Sequence, residues 1–393
     1  MSYGSYRDTW VEVSINAIQH NVRTFKEYIE QDSRLMAVVK ADAYGHGAVD
    51  VAKMAIDAGA DYLAVAFLDE AIQLRQAGID FPVLVLGYTT PDAVEDAIMN
   101  DITLTVFTQD VIDTIIKIAD QNKKTARIHV KIESGMNRIG IADEKEALEL
   151  IQSIHSPYVL TEGIYTHFAD ADNIDSTYTV KQFEHFTKVT DYLEKHNLSI
   201  PIKHCCNSAG TIAYPEMHLD MVRVGVSLYG LYPDEHLQDK IHLKQAMSFK
   251  TKPVMIKTVQ ADHPISYGCT FSPEKDALIA TIPVGYADGF SRLLSNKGYV
   301  TVKDKKAPIV GRICMDQSMI DVTEMEDINE SDVITIFGEP DEGFISLGEV
   351  ASQMNTIHYE TACLISKRVP RVYINDGMIV KEIGLIKENI HAI

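Results

Sequence analysis

Eight short apolar runs, with stretches of helical character between them, leave this chain few ways to fold. In chain order they are LMAVV, YLAVA, VLVLG, ITLTV, RIHVKI, LTEGIYTHF, IKHCC and VRVGVSLYG, preceded by a short opening strand, WVEVSI. The runs are mostly apolar rather than strictly alternating, as expected of parallel strands with helices on one side and a packed interior on the other. Segments such as GAVDVAKMAIDAGA, DEAIQLRQAG, PDAVEDAIMN and EALELIQSIH supply the helices. The pattern predicts an α/β fold, an N-terminal (β/α)8 TIM-type barrel over residues 1–240; a doubly wound open sheet is the alternative.

Past residue 240 the texture changes. Short strand-like pieces, ALIATIPVGY, APIVGRICM, SMIDVT and DVITIFG, alternate with turn-rich segments, and one helix is expected near SLGEVASQMN. Residues 241–393 therefore read as a mainly β C-terminal domain. Two domains also suit the length, because 393 residues exceed what one core usually serves.

Charge and composition narrow the classes of function. Thirty-six Lys and Arg stand against fifty-six Asp and Glu, a net charge of −20, so the surface repels a phosphate backbone and nucleic acid is a poor partner. The five cysteines form neither a Cys-x-x-Cys motif nor a disulfide framework. MSYGSYRDTWVEVS lacks the basic start and apolar run of a leader, and no apolar run reaches membrane-spanning length, so a cytoplasmic protein with no membrane partner is expected.

Polar residues at the downstream ends of apolar barrel strands are the informative exceptions, because barrel active sites gather there. Lys40, Lys131, His167, His204 and Arg223 all lie in or near such ends. Lys40 ends the run in AVVKADAYGHG. Its stem can pack along the barrel mouth with the ammonium in water, or it can be partly desolvated and form an imine with an aldehyde. An aldehyde cofactor bearing a phosphate needs further donors. Tyr44, beside Gly45 and Gly47, Ser208 in NSAGT and Gly225 after Arg223 are candidates, although Ser208 serves equally as a helix cap.

Arg223 lies within DMVRVGVSLYG, where an unpaired guanidinium is costly. Either a carboxylate pairs with it, or it faces a ring nitrogen, giving a hydrogen bond while keeping its proton. Arg138 in ESGMNRIG and Lys131 seven residues earlier form a second cationic pair, open to a carboxylate, a phenolate or plain solvent. His167 can pack against a flat ring or steer a proton, or be a satisfied core histidine; His204 shares both readings. In the second domain, Tyr267, Tyr286 and Asp316 are ordinary turn residues unless a cationic site stabilises a tyrosine phenolate as a base. His46, His129, His167, His204 and His218 show no local ligand spacing, and HCC alone defines no zinc shell, so no metal is expected.

Together these blocks resemble the alanine racemase family. AVVKADAYGHG is similar to its cofactor-lysine motif. HVKIESGMNRIG, GIYTHFADAD, HCCNSAG, MVRVGVSLYG, SYGCTF, IPVGYADGFSR, VGRICMDQSMIDV and YETACLISKRVPRVY are similar to its later blocks, in family order from about Val11 to Tyr373. The resemblance implies a barrel followed by a β domain in a head-to-tail homodimer with shared active sites. It implies pyridoxal 5′-phosphate joined to Lys40, its phosphate near Tyr44, Ser208, Gly225, Val226 and Tyr359, with Arg223 at the pyridine nitrogen and His167 beside the ring. Arg138 is implied at the phenolic oxygen and the substrate carboxylate, and Lys131 as a site of carbamylation. Tyr267, with Met315 and Asp316, is implied to enter the second copy's site.

The activity so implied is interconversion of L- and D-alanine by two bases on opposite faces, Lys40 and Tyr267, supplying D-alanine for peptidoglycan. Alternatives are a serine or broad-specificity racemase, a barrel-type amino acid decarboxylase, and a non-catalytic cofactor-binding protein. Three positions depart from the family pattern: Asn137 where glycine is common, Cys206 where alanine is common, and His358 before Tyr359.

Overall fold

Two compact units make up the chain: Gln19–Ala43 with Ala48–Leu243, and Met1–Ile18 with Tyr44–Gly47 and Lys244–Ile393. The structure, a computed structural model, describes residues 6–386 in full and 388–390 by their backbone. The first five residues, read above for a leader, lie outside the described residues.

The first unit carries eight parallel strands: β2 (Arg34–Val38), β3 (Tyr62–Val65), β4 (Val83–Val85), β5 (Thr103–Val106), β6 (Ala126–Lys131), β7 (Val159–Tyr165), β8 (Ile202–His204) and β9 (Met221–Val224). They neighbour one another in the order β8-β7-β6-β5-β4-β3-β2-β9. The two end strands meet through backbone bonds Asp220 N to Lys203 O and Arg223 N to Cys206 O, both 3.1 Å, so the sheet is a nearly closed barrel. All eight expected runs supply one strand each. Met36, Val38, Tyr62, Ala64, Leu84, Ile202 and Met221 form an interior cluster, and the helices between strands bury the opposite sides.

The opening strand, β1 (Thr9–Ser14), belongs to the second unit. There it lies between β10 (Met247–Thr251), antiparallel, and β17 (Arg371–Asn375), parallel. The same sheet continues through β13 (Tyr299–Val302), β14 (Lys305–Pro308), β16 (Ile334–Phe337), β18 (Met378–Ile383) and β19 (Glu388–Ile390). A smaller antiparallel sheet joins β11 (Met255–Val259), β12 (Ala277–Ile282) and β15 (Ser318–Asp321) over a core of Ile265, Ala277, Ile279 and Val310. The expected helix near SLGEVASQMN is Leu347–Gln353, begun by a capping box in which Ser346 Oγ accepts from Glu349 N and the Glu349 carboxylate accepts from Ser346 N.

Immediately after Lys40 the backbone turns the wrong way for L-residues. Ala41, Asp42, Ala43 and Tyr44 all have φ of 53–54°, one turn of left-handed helix with only Cβ-bearing residues. Such a turn costs about 1–2 kcal/mol per residue and needs outside support. In the first unit, the Glu70 carboxylate accepts from Ala41 N at 2.6 Å, and Asp42 accepts from Ala48 N at 2.8 Å. In the second, Arg371 Nε donates to Gly45 O and Tyr373 Oη to His46 O, each at 3.0 Å. Gly47 allows that approach: a Cβ there stands 2.0 Å from Tyr373 Oη.

Candidate functional site

Alternation along the strands carries the barrel lining straight into a polar cluster. Met36 and Val38 line the interior, and the next residue of the same parity is Lys40; Ile202 leads to His204, and Met221 to Arg223. On β6 and β7 the same spacing sets Lys131 beside His129, and His167 just beyond Tyr165.

Arg223 is the hub. It is 3% exposed, and among the described residues no carboxylate lies within ion-pair distance of it, so the pairing that the sequence left open is not realised. Nη1 instead donates to His204 Nδ1 at 3.0 Å. Nη2 is shared among Thr166 O, Cys205 O and His167 Nδ1 at 2.8, 3.1 and 3.1 Å. The Tyr165 ring stacks on His204, centroids 4.7 Å apart and 6° from parallel, and the Arg223 guanidinium lies 5.2 Å from the same ring.

This arrangement keeps its imidazoles neutral. Burial, then the charge of Arg223, hold His167 and His204 well below the usual imidazole range. Lys131, 3% exposed, has Nζ 4.8 Å over Tyr165 and 3.2 Å from Ile132 O. Burial first, and the charges of Arg223 and Arg138 after it, push this ammonium well below the usual lysine range. Arg138 is exposed on a loop folded around Glu133, which accepts from Gly135 N and Arg138 N at 2.5 and 3.1 Å. Asn137 has φ 55° there, in the left-handed region that asparagine tolerates better than most side chains. Nearby, Ser208 Oγ accepts from Gly225 N at 2.9 Å, with Val226 following.

The second unit gathers the remaining candidates in two places. Tyr44, 8% exposed, has its ring 6.3 Å from that of Tyr359; burial, then Tyr359 and Cys363, raise its phenol pKa, so it stays a donor. His358 stacks on Tyr359 at 4.7 Å, and burial lowers this imidazole to about 4. Elsewhere three loops converge. Tyr286 N and Ala287 N donate to Cys314 O and Met315 O at 3.0 and 3.1 Å, and Ser266 Oγ to Arg312 O at 2.5 Å. Tyr267, Tyr286, Met315 and Asp316 thereby stand on neighbouring loops with exposed side chains, Tyr267 at 72%. Arg368 Nη2 holds Asp316 at 2.8 Å.

Sequence reading missed Tyr165, Thr166 and Glu162 in this cluster and weighed His129 only as a metal ligand. Strand parity was the available signal: His129 stands two residues before Lys131, and Tyr165 two before His167.

The chain matches the family model "Alanine racemase, N-terminal domain" over residues 13–233 and "Alanine racemase, C-terminal domain" over residues 246–373. Alanine racemase 2 of Oceanobacillus iheyensis is 63% identical over 388 residues, 99% of each chain. Among solved structures, the Bacillus anthracis alanine racemase with bound L-Ala-P is 41% identical, with TM-score 0.91 over 97% of this chain and 98% of that one. The Clostridium difficile alanine racemase is 40% identical, with TM-score 0.93 over 97% and 100%.

Proposed function

Because the chain belongs to the alanine racemase family, we infer that it interconverts L-alanine and D-alanine with pyridoxal 5′-phosphate as cofactor, supplying D-alanine for peptidoglycan. The observation that carries the reading is Arg223: a buried guanidinium paired with imidazoles and carbonyls, its Nε–H meeting no acceptor among the described residues. That donor fits a pyridine nitrogen. Arginine keeps its proton, so the ring stays unprotonated and is a weaker electron sink, which favours proton return to carbon over decarboxylation and other losses.

The other donors fit the phosphate and the ring. Ser208 already accepts from Gly225 N, so its own O–H is turned to donate, with the Val226 amide next to it. His167, held neutral, is suited to lie against a flat ring. Lys131 in its neutral form is the nucleophile that carbamylation requires, and the resulting anion would stand among Arg223 and Arg138. Arg138 would take the substrate carboxylate.

When bound, the cofactor acidifies the α-hydrogen of an attached amino acid. Lys40 holds and returns the proton on one face. Tyr267 of a second copy removes it on the other, for a single fixed base tends to return a proton where it found it. The homodimer is the arrangement typical of the family, and the exposed group of Tyr267, Tyr286, Met315 and Asp316 supports its sharing of active sites. We place the enzyme in the cytoplasm, in keeping with a sequence whose five cysteines form no evident disulfide framework.

Lys40→Ala is expected to lose covalent cofactor, read from absorbance, and nearly all turnover. Tyr267→Phe should keep the cofactor and lose chiefly α-hydrogen exchange from L-alanine. Wild-type exchange from both enantiomers in Tyr267→Phe would sink the two-base reading. A chiral product assay with L-alanine, L-serine and basic amino acids tests the substrate assignment, and conversion of serine or lysine without alanine overturns it.

A further inference from the structure

Behind Arg223 a chain of buried side chains crosses the barrel interior. His204 Nδ1 faces Arg223 Nη1 at 3.0 Å, and His204 Nε2 faces His129 Nδ1 at 2.9 Å. His129 Nε2 then faces Glu162 Oε2 at 3.3 Å. Tyr62 Oη donates to the same Glu162 oxygen at 2.9 Å and is 2.7 Å from Thr103 Oγ1.

One chemical fact orients every bond in this chain. Arginine only donates, so His204 Nδ1 must accept, which leaves the His204 proton on Nε2. That proton points at His129 Nδ1, which must accept in turn, so the His129 proton sits on Nε2 and points at the carboxylate. A carboxylate only accepts, and the chain closes without a conflict. Were either imidazole in its other tautomer, two N–H groups or two lone pairs would face each other in a buried site.

Three features of the strands build the relay. The pairing of β6 and β7 jumps from Ile128↔Thr161 to His129↔Gly163, so Glu162 is the extra residue of a bulge and escapes ordinary alternation. Gly163 leaves room for the imidazole: a Cβ there would stand 2.5 Å from His129 Nδ1 and Cε1. Tyr165 stacks on His204 and fixes its plane. Glu162 itself remains 21% exposed at the far end, where burial raises its pKa but the bonds from His129 and Tyr62 outweigh it and hold the carboxyl below its usual range.

We propose that Glu162 is a positioning residue: by accepting from His129 it closes the chain that Arg223 begins, fixes the His129 and His204 rings in place, and so holds the Arg223 guanidinium in position toward the cofactor ring. This rests on the reading of Arg223 given above. The Glu162 carboxylate touches neither substrate nor cofactor; it acts through two imidazoles.

The test uses the holoenzyme with 15N-labelled histidine and the variants Glu162→Gln and Glu162→Met. Wild type should show His129 and His204 both protonated at Nε2. Glu162→Gln still offers a carbonyl oxygen to His129 and Tyr62, and should keep both tautomers and a kcat within about threefold. Glu162→Met removes the acceptor and strands the His129 Nε2–H, so it should shift the His129 Nε2 signal, and it should lower kcat about 10–100-fold, the loss typical when a supporting hydrogen-bond partner is removed. Protonation at Nδ1 on either ring of the wild type overturns the proposal, and so does a folded Met variant with an unchanged His129 signal or an unchanged kcat. Should the Met variant not fold, Glu162→Gln still decides: a kcat lowered about tenfold or more with the His129 bond kept would overturn the acceptor role. A chain with the expected tautomers but no racemisation would overturn the assigned activity and leave the relay standing.

Discussion

Gly47 offers the sharpest test of how the segment after Lys40 is held. An alanine there meets two separate penalties. The backbone has φ +98°, and the new Cβ would stand 2.0 Å from Tyr373 Oη. The first costs about 1–2 kcal/mol and the second, as overpacking, about 1–3 kcal/mol. Tyr373→Phe alone loses the bond to His46 O, for about 0.5–1.5 kcal/mol. In the double variant the hydroxyl is gone and the nearest ring atom, Cζ, is 3.3 Å away, a tight contact but no collision. The overpacking cost then largely disappears while the backbone cost stays. The double variant should therefore be more stable than the sum of the singles by about 1–3 kcal/mol. At ~2–4 °C per kcal/mol, that is a Tm roughly 2–12 °C above additivity, read by circular dichroism at fixed protein and cofactor concentrations. Additive Tm shifts would refute the argument that the hydroxyl of β17 is what forbids a side chain at position 47.

Two further outcomes follow from the same geometry. Arg371→Lys replaces a fork that donates to Gly45 O, Ile365 O, Ser366 O and Val369 O with a point charge unable to reach all four, so a loss of about 3–6 kcal/mol is expected; a Tm within a degree or two of wild type would contradict it. Acid should also destabilise the chain before its carboxylates titrate. His129, His167, His204 and His358 have depressed pKa values when folded, so below the unfolded value near 6.5 the unfolded state binds more protons, and stability falls as pH drops from there. The loss continues to about pH 4 for His358, each such group contributing up to about 1.4 kcal/mol per pH unit. A stability flat between pH 7 and 5 would count against these burials.

Barrel strands were legible because covering both faces of a sheet writes itself into sequence as a near-continuous apolar run. LTEGIYTHF reads three residues too far, since β7 stops at Tyr165 and Thr166, His167 and Phe168 belong to the following loop. Lys40 and Arg223 stood out for the same reason, as charges at the end of or within such runs. The placement of β1 was not legible: nothing in WVEVSI specifies partners more than 230 positions away in β10 and β17. AVVKADAYGHG reads as a turn but not as a left-handed one, because alanine disfavours that conformation and one aspartate, which tolerates it, does not specify a whole turn. Glu162 was invisible for a third reason. A bulge breaks the period on which strand reading depends, and the residue it re-aims looks like any exposed glutamate.

The left-handed turn after Lys40 has a consequence for the order in which the molecule comes into being. Nothing local favours it, and part of what holds it, Arg371 reaching Gly45 O and Tyr373 reaching His46 O, lies more than 320 residues downstream. At about 5–20 residues per second, a ribosome takes on the order of 15–65 s to travel from one to the other. For that interval the nascent chain can assemble its barrel strands but lacks these anchors for the backbone beyond its key lysine. Competence arrives with nearly the last strand made, so a truncated translation product ending before β17 would present a folded-looking barrel without a fully anchored site.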